Sequence, residues 1–402
     1  MNRIWLGHFV GVIAACLSGA MLADDEDSLD RNYANELPRI APTEPDDALA
    51  TFKIAEGFRL ELVAHEPLVV DPIAMAFDED GRLFVVEMRG YSEQADENLG
   101  RIRLLTDVDG DGYFDKSTVY VDGLSWPTAV CCYDGGVFVA AAPDIWYFKD
   151  TDSDGRNDTR KKIFTGFGRG NVQGLVNTLV WGPDNRIHGA TSSSGATLKR
   201  VAPGPNNTAS GERKPPESAL QQGTSSALSP KHNQGADAPR SPDVQQVVDN
   251  VIQLRGRDFS FDPRSLDLRA ESGGGQHGMS FNDAGEKFVC SNSDHLQMVM
   301  FEDRYVARNP YWKAPSPRVS IAADGPQADV FRISPIEPWR IVRTRLRKQG
   351  LVPGPVERGG KAAGYFTGAT GVTICRGNAF YDSPDLFCCA IIGDVGSNLV
   401  DR

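Results

Sequence analysis

The sequence predicts an all-β protein of the β-propeller class, with about six to seven blades of roughly 50 residues each. Both a complete and an incomplete ring of blades are compatible with this prediction. The first observation is a recurring unit: an apolar segment, a tight polar turn, then a β-branched or aromatic strand. Its turn aspartates are Asp80, Asp134, Asp184 and Asp283, and a looser copy occupies residues 382–387. The gaps of about 50 residues, or twice that, match four-stranded blades. A β-sandwich, the alternative all-β fold, does not predict this recurrence.

The composition is the second observation. The 402 residues include 41 Gly and 25 Pro, as expected for a fold with many turns. A chain of this length can form two or three average domains or one large all-β domain. The formal net charge of −12 argues against a nucleic-acid surface and suits a protein that binds cations.

Two acidic loops are the third observation. Residues 107–115 and 150–158 both read D-x-D-x-D-G-x-x-D. Alternate carboxylates can converge on one Ca²⁺ ion when the glycine lets the backbone turn sharply. The loops are not EF-hands, because Thr118 and Lys161 replace the Glu of the twelfth position. The alternative is a pair of solvated hairpin turns. The predicted ligands are Asp107, Asp109, Asp111 and Asp115 in the first loop, and Asp150, Asp152, Asp154 and Asp158 in the second.

The N-terminus is predicted to be a targeting segment. Arg3 precedes an apolar run to residue 22, so residues 1–23 are interpreted as a signal peptide and 24–50 as a polar linker. The protein is therefore expected to be secreted, or to lie in the periplasm or cell envelope. Residues 13–16 also resemble a lipobox, which leaves a lipoprotein anchored through Cys16 as the alternative. Membrane association is expected only in that case.

The rest of the chain is divided by composition. Residues 51–200 and 248–402 are predicted to form the two parts of the propeller, separated by a disordered, low-complexity insertion at 201–247. The final residues look like a blade interrupted midway, so we expect a C-terminally truncated ring or one closed with fewer blades. Residues 339–348 alternate in polarity, which predicts a strand with Arg343, Arg345 and Arg347 on one face.

Several longer segments resemble known families. Residues 83–90, which contain Glu87, and the strand 100–105 are similar to a segment of soluble glucose/sorbosone dehydrogenases, propellers that use pyrroloquinoline quinone (PQQ). The stretch from 52 to 402 resembles more closely the propeller domain of the PVC-type membrane-bound dehydrogenases. The segments that carry this second resemblance are residues 169–177, 290–297, 365–371 and 393–400.

The resemblance implies a quinoprotein that oxidises sugars or polyols with PQQ, and the two acidic loops predict Ca²⁺ as a structural ion. Such an enzyme needs a base for the hydroxyl proton. The histidine of the sugar dehydrogenases has no counterpart here, since residues 123–127 read Gly-Leu-Ser-Trp-Pro. The candidate bases are therefore His277, set among glycines, then His295 and His188. The alternative for each is a structural histidine in a loop.

One polar run is the candidate cofactor site. Arg169, Asn171, Gln173 and Asn177 lie in a glycine-rich stretch that could hold a carboxylate and hydroxyl groups, or could join two blades. The chain has no C-x-x-C-H haem motif, so a separate cytochrome is the expected electron acceptor. The adjacent pairs Cys131–Cys132 and Cys388–Cys389 are interpreted as free thiols rather than vicinal disulfides. The rival hypothesis for the whole protein is a non-catalytic cell-envelope propeller that binds carbohydrate or protein.

Overall fold

The computed structural model describes residues 27–200, 251–306, 308–309, 311–376 and 389–402. The predicted signal peptide with Cys16, the insertion at 201–247 and the looser repeat at 382–387 lie outside these residues. The chain forms two compact units. The larger comprises Ala41–Pro335 and Ala363–Arg402, and the smaller comprises the described residues up to Ile40 together with Ile336–Ala362.

The larger unit is built from five antiparallel sheets that follow one another along the chain. It begins with a short helix α1 (Pro45–Ala48) and a 3₁₀ turn at Leu49–Thr51. The first sheet contains β1 (Pro72–Phe77), β2 (Leu83–Glu87), β3 (Gly100–Thr106) and β4 (Lys116–Leu124), with a 3₁₀ turn at Ala95–Glu97. The second sheet contains β5 (Pro127–Tyr133), β6 (Gly136–Ala141), β7 (Asp144–Lys149) and β8 (Thr159–Phe167).

The third sheet is formed by two pairs of strands that are separated in the sequence by a pair belonging to the second sheet. After a 3₁₀ turn at Val172–Gly174 come β9 (Asn177–Trp181) and β10 (Ile187–Ala190). The next two strands are β11 (Ala196–Arg200) and β12 (Ile252–Gln253), and β11 pairs with β8 at the outer edge of the second sheet. The chain then returns to the third sheet with β13 (Asp258–Phe261) and β14 (Leu268–Glu271).

Two further sheets complete the larger unit. The fourth sheet contains β15 (Met279–Phe281), β16 (Lys287–Ser291), β17 (Asp294–Val299) and β18 (Arg318–Ser320), with the short helix α2 (Asp303–Val306) before β18. The fifth sheet contains β19 (Ala369–Ile374), β20 (Ala390–Asp394) and β21 (Leu399–Asp401).

The all-β propeller arrangement is confirmed, with five blades among the described residues, whereas the predicted count of six to seven is not confirmed. The four turn aspartates each lie between the first and second strands of a sheet. The clearest case is Asp134-Gly135, the two-residue loop between the paired residues Tyr133 and Gly136. Both loop residues have positive φ (49° and 66°), the backbone that the favoured two-residue hairpin turn requires.

Apolar side chains between consecutive sheets form the core. Phe84, Val86 and Ile102 of the first sheet pack against strands of the second, and Phe138 of the second packs against Phe261 of the third. Smaller clusters join the third sheet to the fourth and the fourth to the fifth. Because these side chains are almost wholly withdrawn from water, their packing between blades stabilises the unit.

The smaller unit contains α3 (Pro338–Lys348), so the predicted strand over residues 339–348 is wrong. Proline suits the first turn of a helix, and Val342 and Leu346, four residues apart, are its buried side chains. Arg345 binds the carboxylates of Asp27 (2.7 Å) and Glu36 (2.8 Å). No helix among the described residues has both the length and the hydropathy needed to cross a bilayer.

Candidate functional site

The connections between strands divide the larger unit into two ends. In an antiparallel sheet, successive connections alternate between opposite ends. Residues 107–115 and 150–158 both connect a third strand to a fourth, so they lie at one end, here named the acidic end. The connections from one sheet to the next, including residues 125–126, 168–176 and 272–278, lie at the other, here named the polar end.

His277 lies at the polar end, between β14 and β15, where its Nε2 contacts the backbone carbonyl oxygen of Gln173. A carbonyl oxygen only accepts, so in the neutral ring Nε2 carries the proton and Nδ1 carries the lone pair. Burial lowers the pKa of His277 below the usual 6.5, although the hydrogen bond to Gln173 opposes this. The ring is therefore neutral at pH 7 and can accept a proton at Nδ1.

The polar run 169–177 forms the connection between the second and third sheets, and three of its four candidate residues are exposed. Arg169 donates to the Ser125 hydroxyl (2.8 Å), and Gln173 Nε2 donates to the Tyr91 hydroxyl (3.0 Å). Asn171 Oδ1 caps the 3₁₀ turn by accepting from the backbone N–H of Gln173, and Asn171 Nδ2 donates to the Ser193 hydroxyl. These side chains therefore link neighbouring loops of the polar end.

Asn177 differs from the other three because it is buried, with 7% of its surface exposed. Its side-chain amide donates to the carbonyl oxygens of Leu175 (3.0 Å) and Gln276 (2.8 Å). Gln276 immediately precedes His277, so Asn177 fixes the backbone that carries the histidine. Asn177 therefore helps to hold His277 in place and does not itself face the exposed surface of the polar end.

The other two candidate histidines are buried and do not contact the polar run. His188 lies on β10 beside the hairpin turn at the acidic end, with Nε2 3.0 Å from Asp184 Oδ1. Burial opposes ionisation of Asp184, but the hydrogen bond with His188 lowers its pKa. His295 lies on β17, stacks on Phe366 with ring centroids 4.0 Å apart, and has Nε2 3.4 Å from Asp324. Of the three, His277 is the one placed beside Gln173.

The glycines before His277 have a structural explanation that sequence reasoning missed. Asp258 and Lys287 form an ion pair (3.1 Å) and are 0% and 8% exposed. The other Asp258 oxygen accepts from the Gly274 amide, and a Cβ on Gly273 would lie 1.7 Å from Asp258 Oδ2. The glycine run thus wraps tightly around this ion pair. The available signal was a lysine directly before the apolar residues Phe288, Val289 and Cys290 of β16.

The acidic end brings together three of the four predicted ligands in each loop. Carboxylate oxygens of Asp107, Asp109 and Asp115 lie within 4.8 Å of one another, as do those of Asp150, Asp152 and Asp158. The remaining residues, Asp111 and Asp154, accept backbone hydrogen bonds from Tyr113 and Arg156 instead. The predicted turn glycines, Gly112 and Gly155, have φ of +91° and +84°.

Hydrogen bonds from the loop itself lower the pKa of one carboxyl group in each loop. Hydrogen bonds from Gly112 and then Gly110 lower the pKa of Asp107, and those from Thr151 lower the pKa of Asp158. The loops also touch the same strand, since Asp150 N–H donates to the Tyr120 hydroxyl on β4 (3.0 Å). An anionic donor set made only of oxygen atoms fits a hard cation such as Ca²⁺.

Comparison with solved structures finds low similarity. A virginiamycin B lyase from Staphylococcus aureus is 9% identical, with 82% of this chain and 65% of that chain covered and a TM-score of 0.33. The PQQ domain of a pyranose dehydrogenase from Coprinopsis cinerea is 13% identical, with 62% and 52% covered and a TM-score of 0.34. A calcium structure of a Trichoderma reesei enzyme of the carbohydrate-active family AA12 is 16% identical, with 36% and 38% covered and a TM-score of 0.26. This chain spans less than two thirds of the length of each.

Comparison with curated proteins finds no match. A family model, in contrast, matches nearly the whole chain, over residues 44–234 and 232–402. The two matched segments together include all five sheets and both acidic loops. The chain belongs to the family described as "Domain of unknown function (DUF7133)".

Proposed function

We propose that this protein is a calcium-binding β-propeller that oxidises hydroxyl groups of sugars or polyols at its polar end, with PQQ as cofactor. The observation that carries the proposal is the contact of His277 Nε2 with the Gln173 carbonyl. It fixes a neutral imidazole against the backbone of the connection that also carries the exposed side chains of Arg169, Asn171 and Gln173. A base held by a second group next to potential substrate-binding side chains is a common arrangement for proton abstraction from a hydroxyl.

His277 would act as the general base. The Gln173 carbonyl keeps the proton on Nε2, so Nδ1 accepts the hydroxyl proton of the substrate. The lowered pKa keeps the ring unprotonated at neutral pH. Asn177 contributes indirectly, because its amide holds the carbonyl of Gln276.

The exposed side chains of the polar end fit an anionic quinone. Arg169 has a guanidinium group in water, held over the Trp126 ring (5.7 Å) and bonded to Ser125, which suits bidentate binding of a carboxylate. Asn171 and Gln173 offer amide groups for substrate hydroxyls. PQQ, when bound, would take up the two electrons and the hydrogen released from the alcohol carbon. A separate cytochrome in the periplasm or cell envelope would then accept the electrons.

The direct test is dye reduction by the purified chain with Ca²⁺ and PQQ over a panel of sugars and polyols. His277→Gln should lower kcat by about 10²–10⁴-fold while leaving PQQ binding intact. The matched control is His65→Gln, since His65 lies beside Tyr113 of the first acidic loop. Equal turnover in the His277 and His65 variants would exclude His277 as the base.

Calcium binding at the acidic end is tested separately by isothermal titration. We expect each of the two loops to bind one ion, and Asp107→Asn to remove the ion of the first loop alone. Asp122→Asn is the control, because Asp122 is an exposed aspartate of the same sheet outside both loops. Titration heats that are the same with and without Asp107 would contradict a site in the first loop.

One observation favours the non-catalytic alternative. The resemblance leads one to expect a histidine at residues 123–127. Instead, the Ser125 hydroxyl there accepts a hydrogen bond from Arg169, and the Trp126 ring lies under the Arg169 guanidinium group. If the folded, calcium-loaded protein reduces no dye with any sugar or polyol, a scaffold that binds carbohydrate or protein becomes the better hypothesis. Glycan-array binding at the polar end would then replace the kinetic assay.

A further inference from the structure

We propose that Cys375 and Cys389 form a cross-strand disulfide when the protein is exposed to a small-molecule disulfide as oxidant. Their sulfur atoms lie 3.1 Å apart, closer than the roughly 3.5–4.0 Å of ordinary non-bonded carbon contacts. Among the cysteines that the structure describes, no other two thiols are in contact. This pair was not predicted from the sequence, in which only the adjacent pairs Cys131–Cys132 and Cys388–Cys389 were considered as disulfides.

The sheet register explains why the two thiols meet. β19 and β20 pair antiparallel, with Thr373 opposite Ile391 and Ile374 opposite Ala390. The next pair in register is Cys375 and Cys389, and the Cys375 amide donates to the Cys389 carbonyl (2.8 Å). Directly opposed residues of an antiparallel pair have Cα atoms about 4.5–5.5 Å apart, within the roughly 4.4–6.8 Å range of disulfides. The backbone spacing of such a pair therefore permits the bond.

The remaining described cysteines differ in their surroundings. Cys131 is buried in the core between the second and third sheets, while its neighbour Cys132 packs on the opposite face of β5. Cys290 is also buried, and its thiol donates to the His277 carbonyl (2.7 Å). Burial raises the pKa of Cys290 to about 11. These three thiols are expected to stay reduced in the folded protein.

The oxidation balances with a small-molecule disulfide such as oxidised glutathione. The thiolate of one cysteine attacks a glutathione sulfur and releases one reduced glutathione, which leaves a mixed disulfide. The second cysteine then attacks the protein sulfur, closes the Cys375–Cys389 bond and releases the second glutathione. Burial and the adjacent Cys389 thiol raise the pKa of Cys375 to about 11, so the reaction should accelerate as the pH rises above neutrality.

Peptide mapping tests the bond without reference to any activity. Full-length protein is treated with oxidised glutathione, alkylated, and digested with trypsin, which should yield residues 362–376 and 377–402 as separate peptides when no bond is present. We expect them joined, with a mass two hydrogens below their sum, and separated again by a reductant. Because the second peptide also contains Cys388, the variants Cys389→Ser and Cys388→Ser assign the bond.

The expected result is linked peptides in the wild type and in Cys388→Ser, and unlinked peptides in Cys389→Ser. Oxidation should also raise the melting temperature of the first two proteins and leave that of Cys389→Ser unchanged. Separate peptides from the folded, oxidised wild type would overturn the proposal. So would a link that persists in Cys389→Ser and disappears in Cys388→Ser, because the bond would then use the neighbouring cysteine.

Discussion

Replacement of Glu87 by glutamine tests the role of a wholly buried carboxylate in the first sheet. Glu87 is 0% exposed and accepts hydrogen bonds from the Val70 amide (2.8 Å), Arg101 Nε (3.0 Å) and Arg103 Nε (3.2 Å). Glutamine has the same shape, but it removes the negative charge. It also turns an NH₂ donor towards groups that only donate. Both arginines would lose their buried counter-charge.

The magnitude follows from the exposure of the partners. Removing one member of a buried ion pair costs about 3–5 kcal/mol. The side chains of Arg101 and Arg103 remain 17% and 15% exposed, so water can partly solvate them. We therefore expect Glu87→Gln to lower the free energy of unfolding by about 3 kcal/mol, the lower end of that range.

Urea denaturation followed by tryptophan fluorescence and circular dichroism measures this loss, as a lower midpoint with an unchanged m-value. The control is Arg269→Gln, since Arg269 and Asp267 form an ion pair with side chains 60% and 51% exposed. Such a pair contributes at most about 1 kcal/mol. A loss for Glu87→Gln no larger than that of the control would refute the argument that burial makes this carboxylate important.

Three further predictions concern the core and the polar end. Phe259→Ala should lower the free energy of unfolding by about 3–5 kcal/mol in the same assay, since Phe259 is fully buried; a loss under about 1 kcal/mol would contradict the packing between the second and third sheets. Gly273→Ala should destabilise the protein more than Gly57→Ala, because its Cβ would meet Asp258, whereas Gly57, also at positive φ (+87° against +147°), has open space. Because the pKa of His277 is lowered, the unfolded chain binds more protons near pH 6. Stability should therefore fall as the pH drops below 6.5, and kcat/KM should fall at lower pH still, where the folded ring takes up its proton; His277→Gln should weaken the pH dependence of stability.

Much of the fold could be predicted from the sequence because turn chemistry is local. Asp134-Gly135 specifies its hairpin through two residues that tolerate positive φ, and the same reasoning located the turns at Asp80, Asp184 and Asp283. The glycines of the acidic loops could be assigned to sharp turns for the same reason. None of these features depends on residues far away in the chain.

The smaller unit shows where local reasoning fails. The alternation of Arg343, Arg345 and Arg347 predicted a strand, yet the segment is the helix α3. The apolar residues Val342 and Leu346 are four apart, which is also the helical spacing, so the short pattern allowed both interpretations. The partners of Arg345 are Asp27 and Glu36, more than 300 positions away, and no local pattern indicates that contact.

The residues of the candidate site could be selected from the sequence, but the contacts between them could not be predicted. Arg169, Asn171 and Gln173 could be selected because a dense polar run with glycines is unusual within a β-rich chain. The choice among the three histidines could not be made, since burial and hydrogen-bond partners depend on which loops meet. His277 reaches Gln173 across 104 positions because both belong to connections between consecutive sheets.

The separation of the two ends has a consequence for function. The carboxylates of Asp107 and Asp150 lie on connections from a third to a fourth strand, whereas His277 lies on a connection between sheets. A bound Ca²⁺ ion at the acidic end therefore cannot touch the substrate hydroxyl that His277 would deprotonate. Calcium is expected to stabilise the first two sheets and to leave the titration of His277 unchanged. Sugar oxidation that required Ca²⁺ in direct contact with the substrate would need a different cation site, at the polar end.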